Sequence, residues 1–427
     1  MAKTFVFKFG GASVKDVDSI KNLYEIVFNR LRNNTIIVVS AMGKTTNALE
    51  EILALKLKGK EYSSKSTKLL DYHLGICEGL FAPEALIFPA VRNYFSQMER
   101  ILEGNLTSTN YDSFYDSIVS FGELVSSRIV QEYLCSKGMF CIWQDAREVI
   151  LTNSDFRFAK VDWEATSKLC EKIVGPKLAQ FPVITQGFIG ADEKGRTTTL
   201  GREGSDFTAA ILAHGLRANA VTIWKDVVGV LNADPKRFPD STKFEELDYR
   251  EAAELTYYGA TVIHPKTIKP LANLSIPLFV KSFIHPDGPG TKIHHVQKVN
   301  TVPCIVVKDG QILVSFKVTD FTFINESHIH SVYSELEKLK LRVNLLQTSA
   351  ISISIVIEKE LFKLEKLISN LRNQFEIRYN ENLQLITVKN HNQPLMEKLM
   401  LNKEVLLEQM TRTTFQVLVK SPSEETN

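Results

Sequence analysis

The chain has 427 residues, of which 44% are hydrophobic and 23% are charged, and its 51 basic and 49 acidic residues give a net charge of +2. This composition is typical of a soluble globular protein with two or three domains, and it indicates neither a nucleic-acid partner nor a membrane surface. No stretch of about 18 apolar residues predicts a membrane span, and the N-terminus has no leader-like apolar segment. The five cysteines show no C-x-x-C spacing, which predicts reduced thiols without a metal site in a cytoplasmic protein.

Short apolar runs and helix-periodic segments alternate along the first 290 or so residues. Runs without polar alternation indicate strands that are buried on both faces, and this pattern predicts an α/β fold with a doubly wound, mainly parallel sheet. Residues 48–136 lack a strand pattern and predict a helical excursion from that sheet. The predicted strands are 4–9, 35–39, 140–143, 182–185, 220–224 and 277–281.

The pattern changes at Gly288-Pro289-Gly290, beyond which elements are shorter and alternate more cleanly. We predict three parts: a domain over 1–292, an α+β module over 305–380, and a reduced second module with a polar tail over 381–427. The predicted elements of the modules are strands at 312–318, 343–348, 351–357, 376–379, 383–390, 405–410 and 413–420, and helices at 331–341, 361–371 and 394–400.

Two glycine-rich segments have the character of anion-binding loops. The segment TTTLGREGSDFTAA (197–210) reads as a loop that enters a helix with Ser205 or Asp206 as N-cap, and it brings backbone N–H groups and Arg202 together. The first predicted strand likewise runs through Lys8 into a Gly-Gly pair before a helix. For both segments a purely structural role, as a capped helix or as close packing, remains open.

Other segments are less specific. Gly43-Lys44-Thr45 imitates the end of a P-loop, but Val38 stands where that motif requires glycine, so we exclude a P-loop NTPase. Glu123 is a single carboxylate on a predicted helix that is largely apolar. Two interpretations stay open: a buried carboxylate with a functional role, or an ordinary charge on the solvated face of the helix. His264 precedes a proline and reads as a turn residue rather than a base.

Taken in order, these motifs resemble those of the aspartokinases of the amino-acid kinase family. The motifs are KFGGAS, SFGE, TQGFIG, GRTTTLGREGSD, the loop 225–236 and YGATVIHP. The resemblance covers about residues 3–292 as a kinase domain and 305–420 as tandem ACT-type modules. It implies the amino-acid kinase fold followed by ferredoxin-like ACT modules, which agrees with the strand pattern.

The resemblance implies ATP-dependent phosphorylation of the side-chain carboxylate of L-aspartate to 4-phospho-L-aspartate, the first step towards lysine, threonine and methionine. ATP and Mg²⁺ are the implied cofactors, without a dedicated protein metal site. The implied catalytic residues are Lys8, which holds the phosphoryl group, and Asp206, which orients Lys8. The implied substrate-binding residues are Thr46, Glu123, Arg202, Ser205, Phe188 and Thr199. The implied ATP-binding residues are Lys8, Phe9, Gly10, Gly11, Lys225, Asp226, Leu231, Lys236 and Thr261.

The chain departs from the family pattern at several positions. Ala12 replaces a usual threonine, and Glu203 stands where glycine is common, so we expect its side chain to point away from the anion site. Leu231, Lys236 and Thr261 replace residues that are often aromatic, arginine and lysine, which makes the adenine-side contacts less secure than the phosphate-side ones.

The regulatory half departs further, because the stretch TDFTFINESHIH lacks the glycine that family effector loops often carry. The resemblance implies a homodimer or higher homo-oligomer through the ACT modules, with lysine or threonine as a possible effector. Two other readings remain: another kinase of this fold that acts on glutamate, carbamate or a nucleoside monophosphate, and a catalytically silent amino-acid sensor.

Overall fold

The computed structural model describes residues 3–31, 34–260, 263–297, 301–319 and 322–421. The chain forms two compact units that are not continuous in sequence. The first comprises Met1–Val230, Lys243–Thr256 and Thr261–Val299, and the second comprises Leu231–Thr242, Tyr257–Ala260 and Asn300–Asn427. The domain limits 1–292, 305–380 and 381–427 stay predictions.

The first unit alternates strands and helices as predicted, and residues 45–136 carry only helices. Its strands are β1 (Phe5–Phe9), β2 (Thr35–Val39), β3 (Ile142–Gln144), β4 (Leu151–Thr152), β5 (Val183–Gln186), β6 (Ile189–Asp192), β7 (Thr197–Thr199), β8 (Ala220–Lys225), β9 (Glu246–Asp248), β10 (Leu278–Ser282) and β11 (Thr291–His294). Its helices are α1 (Val17–Arg30), α2 (Thr45–Leu57), α3 (Ser63–Leu80), α4 (Ile87–Glu103), α5 (Tyr111–Ser136), α6 (Trp163–Leu169), α7 (Gly175–Leu178), α8 (Gly204–Gly215), α9 (Tyr249–Tyr258) and α10 (Pro265–Asn273).

An eight-stranded sheet organises this unit in the order β3-β5-β2-β1-β8-β10-β11-β9. Along this order, the six neighbouring strands β3, β5, β2, β1, β8 and β10 are parallel. The β11–β9 pair is also parallel, and only the β10–β11 pair is antiparallel. All five residues of β2 are buried, since helices cover both faces of the sheet. The predicted doubly wound, mainly parallel sheet is confirmed.

The centre of the sheet positions the candidate site. In β1, Lys8 lies opposite Val38 of β2 and Ile223 of β8, one residue before the strand ends. The loops that follow these three strands therefore emerge together at one edge. Such a carboxyl edge is where doubly wound folds bind ligands.

The second unit is built on one antiparallel six-stranded sheet in the order β13-β14-β12-β15-β17-β16. This α+β architecture confirms the predicted fold class of the C-terminal region. Its strands are β12 (Cys304–Val318), β13 (Val343–Thr348), β14 (Ser352–Glu358), β15 (Phe375–Lys389), β16 (Val405–Met410) and β17 (Thr414–Lys420), and its helices are α11 (Glu326–Lys338), α12 (Leu361–Leu371) and α13 (Gln393–Met400).

Two long strands join the modules, which differs from the prediction of separate short strands at 376–379 and 383–390. Residues 311–318 of β12 pair with 375–383 of β15, whereas residues 304–308 pair with 385–389, across an irregularity in register between Lys308 and Leu313. The second module looked reduced in sequence because one of its strands, 304–308, precedes the first module. Hydrophobic alternation does not show that two neighbouring strands are continuous.

Helix α11 begins at Glu326 rather than at 331. Asn325 caps it by accepting the N–H groups of Ser327 and His328, and the His328 ring accepts the N–H of Asn325 in return. The stretch that lacks the family glycine is thus partly helix, while its residues 320–321 lie outside the described residues, as does the predicted polar tail at 422–427. Among the described residues, no helix is long and apolar enough to span a membrane.

Candidate active site

A cavity of about 600 Å³ lies at the carboxyl ends of β1, β2 and β8. The predicted site residues that line it are Lys8, Gly11, Thr46, Glu123, Phe188, Thr199, Arg202, Ser205, Asp206 and Lys225. Residues that were distant in sequence therefore surround one space. The sequence reasoning did not single out six further lining residues: Ser40, Asn47, Glu50, Tyr115, Arg157 and Phe158.

A buried carboxylate between two ammonium groups forms the floor of the cavity. Asp206, in the first turn of α8, lies 2.6 Å from Lys8 Nζ through Oδ1 and 3.2 Å from Lys225 Nζ through Oδ2. Burial raises the pKa of Asp206, but Lys8 and Lys225 together outweigh it and keep the pKa below its usual value. Asp206 is therefore ionised and holds both lysines in place beside the cavity.

The N-cap of α8 is Glu203, so the prediction of Ser205 or Asp206 as N-cap is wrong. Gly204 already has helical geometry, which places Ser205 and Asp206 inside the first turn. The carboxylate of Asp206 is consequently available for the two lysines, and the prediction erred because any polar residue before an apolar run resembles a cap.

The glycine loop after β1 packs against the loop after β2. The Gly43 N–H donates to the Gly11 carbonyl at 3.0 Å. A Cβ on Gly11 would lie 2.8 Å from the carbonyl oxygen of Ala41, closer than a side chain can come. Glycine is required here for close backbone approach, and the loop leaves its backbone at the cavity wall.

Glu123 of α5 is buried, and only 3% of its surface is exposed. Its Oε1 accepts the Ala41 N–H at 3.3 Å, and its Oε2 has no hydrogen-bond partner among the described residues. Burial raises the pKa of Glu123 to about 8, with the Ala41 hydrogen bond acting against it. Glu123 is thus not a solvated helix charge but a buried acceptor at the cavity, complementary to a cation such as an ammonium group.

Arg202 supplies the opposite charge at the same cavity. Its side chain is exposed at the cavity wall, and within the described ranges no ion pair joins it to a carboxylate. A guanidinium group in this state can bind a carboxylate through two hydrogen bonds. Besides the two lysines, the cavity therefore presents a cationic group, Arg202, and a buried carboxyl group, Glu123, which binding of a cation would favour in its ionised form.

A third buried acidic side chain, Asp116, holds part of the cavity wall in place. Its Oδ2 accepts the N–H groups of Arg157 and Thr199 at 2.9 and 2.8 Å, and its Oδ1 accepts the Thr199 hydroxyl at 2.7 Å. The hydroxyl of Thr199 is therefore engaged by Asp116, although the residue lines the cavity. Sequence reasoning missed Asp116 because an isolated aspartate in a helix has no distinctive spacing.

Three non-glycine residues in left-handed backbone conformation line the cavity: Arg157 (φ 67°), Phe188 (φ 70°) and Glu203 (φ 54°). Strained backbone of this kind concentrates at functional sites. The left-handed turn at Glu203 explains why glycine suits this position. The expectation that Glu203 points away from the site is wrong, because its side chain lines the cavity and its buried Oε2 has no hydrogen-bond partner in the described part of the chain.

Several nucleotide-side predictions are not placed at the cavity. Phe9 is buried and stacks on Trp224 at 6.1 Å between centroids, and Asp226 is exposed. Leu231 and Lys236 belong to the segment Leu231–Thr242 of the second unit, and Thr261 lies outside the described residues. The roles of these residues and of Gly10 stay predictions.

Comparisons with known proteins identify the family of this chain. A model of the amino acid kinase family matches residues 3–282. The lysine-sensitive aspartokinase 3 of Escherichia coli is 33% identical over 361 residues, which cover 84% of this chain and 79% of the relative. The chain belongs to the aspartokinases of the amino acid kinase family. The chloroplastic aspartokinase 1 of Arabidopsis thaliana is 31% identical over 366 residues, which cover 83% of this chain and 63% of that protein.

Solved aspartokinases share the fold over nearly the whole chain. E. coli aspartokinase III in complex with aspartate and ADP matches with a TM-score of 0.84 and 28% identity, covering 98% of this chain and 96% of that one. The aspartate kinase of Clostridium acetobutylicum matches with a TM-score of 0.77 and 23% identity, covering 97% and 96%. The aspartokinase resemblance drawn from the motifs is confirmed.

The residues at the cavity fit a nucleotide phosphate group. Lys8, Lys225 and the N-terminal turn of α8 converge there, and such a set neutralises phosphate charge. No group of three or more His, Cys, Asp or Glu residues in the described part of the chain is placed to hold a metal ion. Mg²⁺ that enters on the phosphates of ATP keeps several waters and needs no such group.

Proposed function

We propose that this aspartokinase transfers the γ-phosphoryl group of ATP to the side-chain carboxylate of L-aspartate, the first step towards lysine, threonine and methionine. The observation that carries the proposal is that the buried Glu123 carboxyl group and the Arg202 guanidinium, unpaired among the described residues, line the same cavity as Lys8. An α-amino acid has an ammonium and a carboxylate group, and these two residues complement them. The match to the aspartate and ADP complex of E. coli aspartokinase III supports the same substrates.

The chemistry requires positioning rather than a general base. A substrate carboxylate with a pKa near 4 is already ionised at pH 7 and can attack directly. Lys8 with the Gly10-Gly11 backbone holds the transferred phosphoryl group, and Asp206 orients Lys8 through the 2.6 Å ion pair. Mg²⁺ bound to the phosphates supplies further charge neutralisation.

The remaining roles follow the predicted assignment. Glu123 binds the substrate ammonium and Arg202 its α-carboxylate, while the pocket lining consists of Thr46, Ser205, Phe188 and Thr199. The predicted nucleotide contacts are Phe9, Gly10, Gly11, Lys225, Asp226, Leu231, Lys236 and Thr261. Of these, Lys225 has the strongest support because it shares Asp206 with Lys8.

The test is a coupled assay with ATP, Mg²⁺ and aspartate on two variants. Lys8→Ala removes a charge from the transition state, so we expect kcat to fall by about a hundredfold or more. Arg202→Ala removes a ground-state contact, so we expect mainly a higher aspartate KM. An unchanged kcat for the first variant, or an unchanged KM for the second, contradicts the role assigned to that residue.

The same assay separates the other readings. Turnover of glutamate, carbamate or a nucleoside monophosphate in place of aspartate would make the chain a different kinase of this fold. The absence of turnover with every acceptor would favour a catalytically silent amino-acid sensor. The retained Lys8, Glu123, Arg202 and Asp206 favour the active aspartate kinase.

Assembly, regulation and location are further parts of the proposal. We infer a homodimer or higher homo-oligomer through the ACT sheet, and a cytoplasmic location that the five free cysteines support. E. coli aspartokinase III in complex with lysine and aspartate matches with a TM-score of 0.81 and 28% identity, which supports lysine as an effector, with threonine as the alternative. Kinase assays with millimolar amounts of each amino acid test this, and the absence of inhibition by both removes the effector hypothesis.

A further inference from the structure

A second cavity, of about 450 Å³, lies between helices α6, α8 and α10 of the first unit. We call it the α6–α8–α10 pocket, and its lining includes Trp163, Phe207, His214, Lys266, Lys269 and Pro270. It shares no lining residue with the candidate active site. Neither the sequence motifs nor the proposed kinase reaction assigns it a role.

One wall of the pocket is aromatic. The Trp163 ring lies edge-on to Phe207 at 6.0 Å and to His214 at 5.0 Å between ring centroids. Trp163 is nevertheless 36% exposed, so part of a large apolar surface faces the open pocket. A planar ring placed there would remove this surface from water and gain aromatic contacts.

The part of the lining that α10 contributes is cationic. Lys266 and Lys269 both belong to α10 and line the pocket, and no ion pair joins either to a carboxylate within residues 3–31, 34–260, 263–297, 301–319 and 322–421. No acidic residue of the described chain lines the pocket. The acidic groups that flank Trp163 are otherwise engaged, because Glu164 pairs with Lys168 at 2.6 Å and Asp162 caps α6 through the Ala165 N–H.

His214 adds a polar atom to the aromatic wall. Burial lowers the pKa of His214, and Arg217 acts in the same direction, so the ring is neutral at pH 7. Its Nδ1 is buried and lacks a hydrogen-bond partner among the described residues. The neutral ring contributes no charge, so Lys266 and Lys269 supply the positive charge of the pocket.

We propose that the α6–α8–α10 pocket binds a small aromatic anion, with its ring against Trp163 and its acid group at Lys266 and Lys269. The cavity volume suits a ligand of one or two rings. Phe207 directly follows Asp206, the residue that holds Lys8 and Lys225. A ligand that contacts Phe207 therefore acts on the helix whose first turn forms the floor of the active site, and we expect occupancy to change the aspartate KM.

The binding test uses 8-anilinonaphthalene-1-sulfonate as the aromatic anion and N-phenyl-1-naphthylamine as its uncharged counterpart. The full-length protein is titrated with each probe in the presence of saturating aspartate, Mg²⁺ and a non-hydrolysable ATP analogue. We expect one strong site per chain for the anion, with energy transfer from Trp163. Displacement of the anion by the nucleotide analogue would place it in the active site and overturn the proposal.

Charge variants test the assignment of the anion site. Lys266→Gln combined with Lys269→Gln should weaken binding of the anionic probe by about tenfold and leave the uncharged probe unchanged. The matched control is Lys21→Gln with Lys68→Gln, which removes two exposed charges from the same unit outside the pocket. Equal weakening in both double variants would show a non-specific charge effect and overturn the proposal.

The kinetic test measures the aspartate KM with and without the anionic probe. The wild-type protein should show a changed KM, and the Lys266→Gln, Lys269→Gln variant should need about tenfold more probe for the same change. A wild-type KM that does not change at saturating probe overturns the link through α8. This result is distinguishable from failure of the proposed kinase function, which would appear as no turnover without probe.

Discussion

Burial and the nearby charges together set the protonation states of the two acidic side chains in the active site, Asp206 and Glu123. Asp206 stays ionised because Lys8 and Lys225 lie 2.6 and 3.2 Å away. Glu123 has no such partner, and its second oxygen is unpaired among the described residues. The Asp206 carboxylate thus has its charge partners within the protein. The Glu123 carboxyl group gains one only when a cationic group of the substrate binds.

Replacement of Glu123 by glutamine should stabilise the substrate-free protein in a pH-dependent way. The folded-state pKa of Glu123 is raised from 4.5 to about 8, so its contribution to stability is fully present below pH 4.5 and is lost as the pH rises to about 8. We expect the free energy of unfolding of Glu123→Gln, relative to wild type, to increase by a few kcal/mol over this range and then level off. Urea titrations followed by tryptophan fluorescence measure it, and a difference that does not vary with pH would contradict the burial argument.

Replacement of Glu203 by glycine should also stabilise the protein. Glu203 has a φ of 54°, a conformation that costs a side-chain-bearing residue about 1 kcal/mol and glycine nothing. Glu203→Ala is the matched control because it removes the same carboxylate but keeps the strained backbone. The unfolding free energy of Glu203→Gly should exceed that of Glu203→Ala by about 1 kcal/mol; equal values would mean that the backbone at 203 is not strained.

At the scale of elements, α5 supports the site from behind. Asp116 and Glu123 lie about two turns apart on this helix, and so share one face. Glu123 reaches the loop after β2 through Ala41, while Asp116 holds β7 through Thr199. β7 leads directly to Arg202, so one helix sets the distance between the two substrate-recognition groups.

We expect Asp116→Ala to raise the aspartate KM by about tenfold with a smaller effect on kcat, because the three donors that it leaves unpaired loosen the segment before Arg202. Asp116→Asn keeps the shape and one oxygen acceptor and should restore most of the affinity. Asp112→Ala, one turn earlier and exposed, is the control. Steady-state kinetics decide the matter, and a parallel loss of kcat and stability in Asp116→Asn would indicate a structural role alone.

At the scale of the whole molecule, each compact unit is assembled from separate segments. In the second unit, β12 and β15 run through both ACT modules, and residues 304–308 pair only with the later half of β15. The side chains of Ile386, Val388, Phe415 and Val417 are buried together in the second module. Because the two modules share strands β12 and β15, we expect them to fold as a single cooperative unit.

A chain that ends at Asn382 should consequently lose more than the second module. The strand 304–308 would lack its partner 385–389, and its open edge would favour aggregation. We expect low solubility and rapid proteolysis within residues 304–382. A chain that ends at Ser421 keeps every strand of the sheet and serves as the control; a protease-resistant 304–382 fragment in the shorter chain would disprove the shared fold.

The sequence by itself determined the fold class, most strand positions and the family, because apolar periodicity and glycine loops are local signals. It also identified ten of the residues that meet at the cavity, through motifs whose order matches the aspartokinases. Only the tertiary structure decided that Glu203 is a left-handed N-cap facing the cavity, that Asp116 anchors Thr199, and that β12 completes the second module. These features depend on contacts between residues 77 or more positions apart, or on one residue's backbone angle, and neither leaves a periodic trace in the sequence.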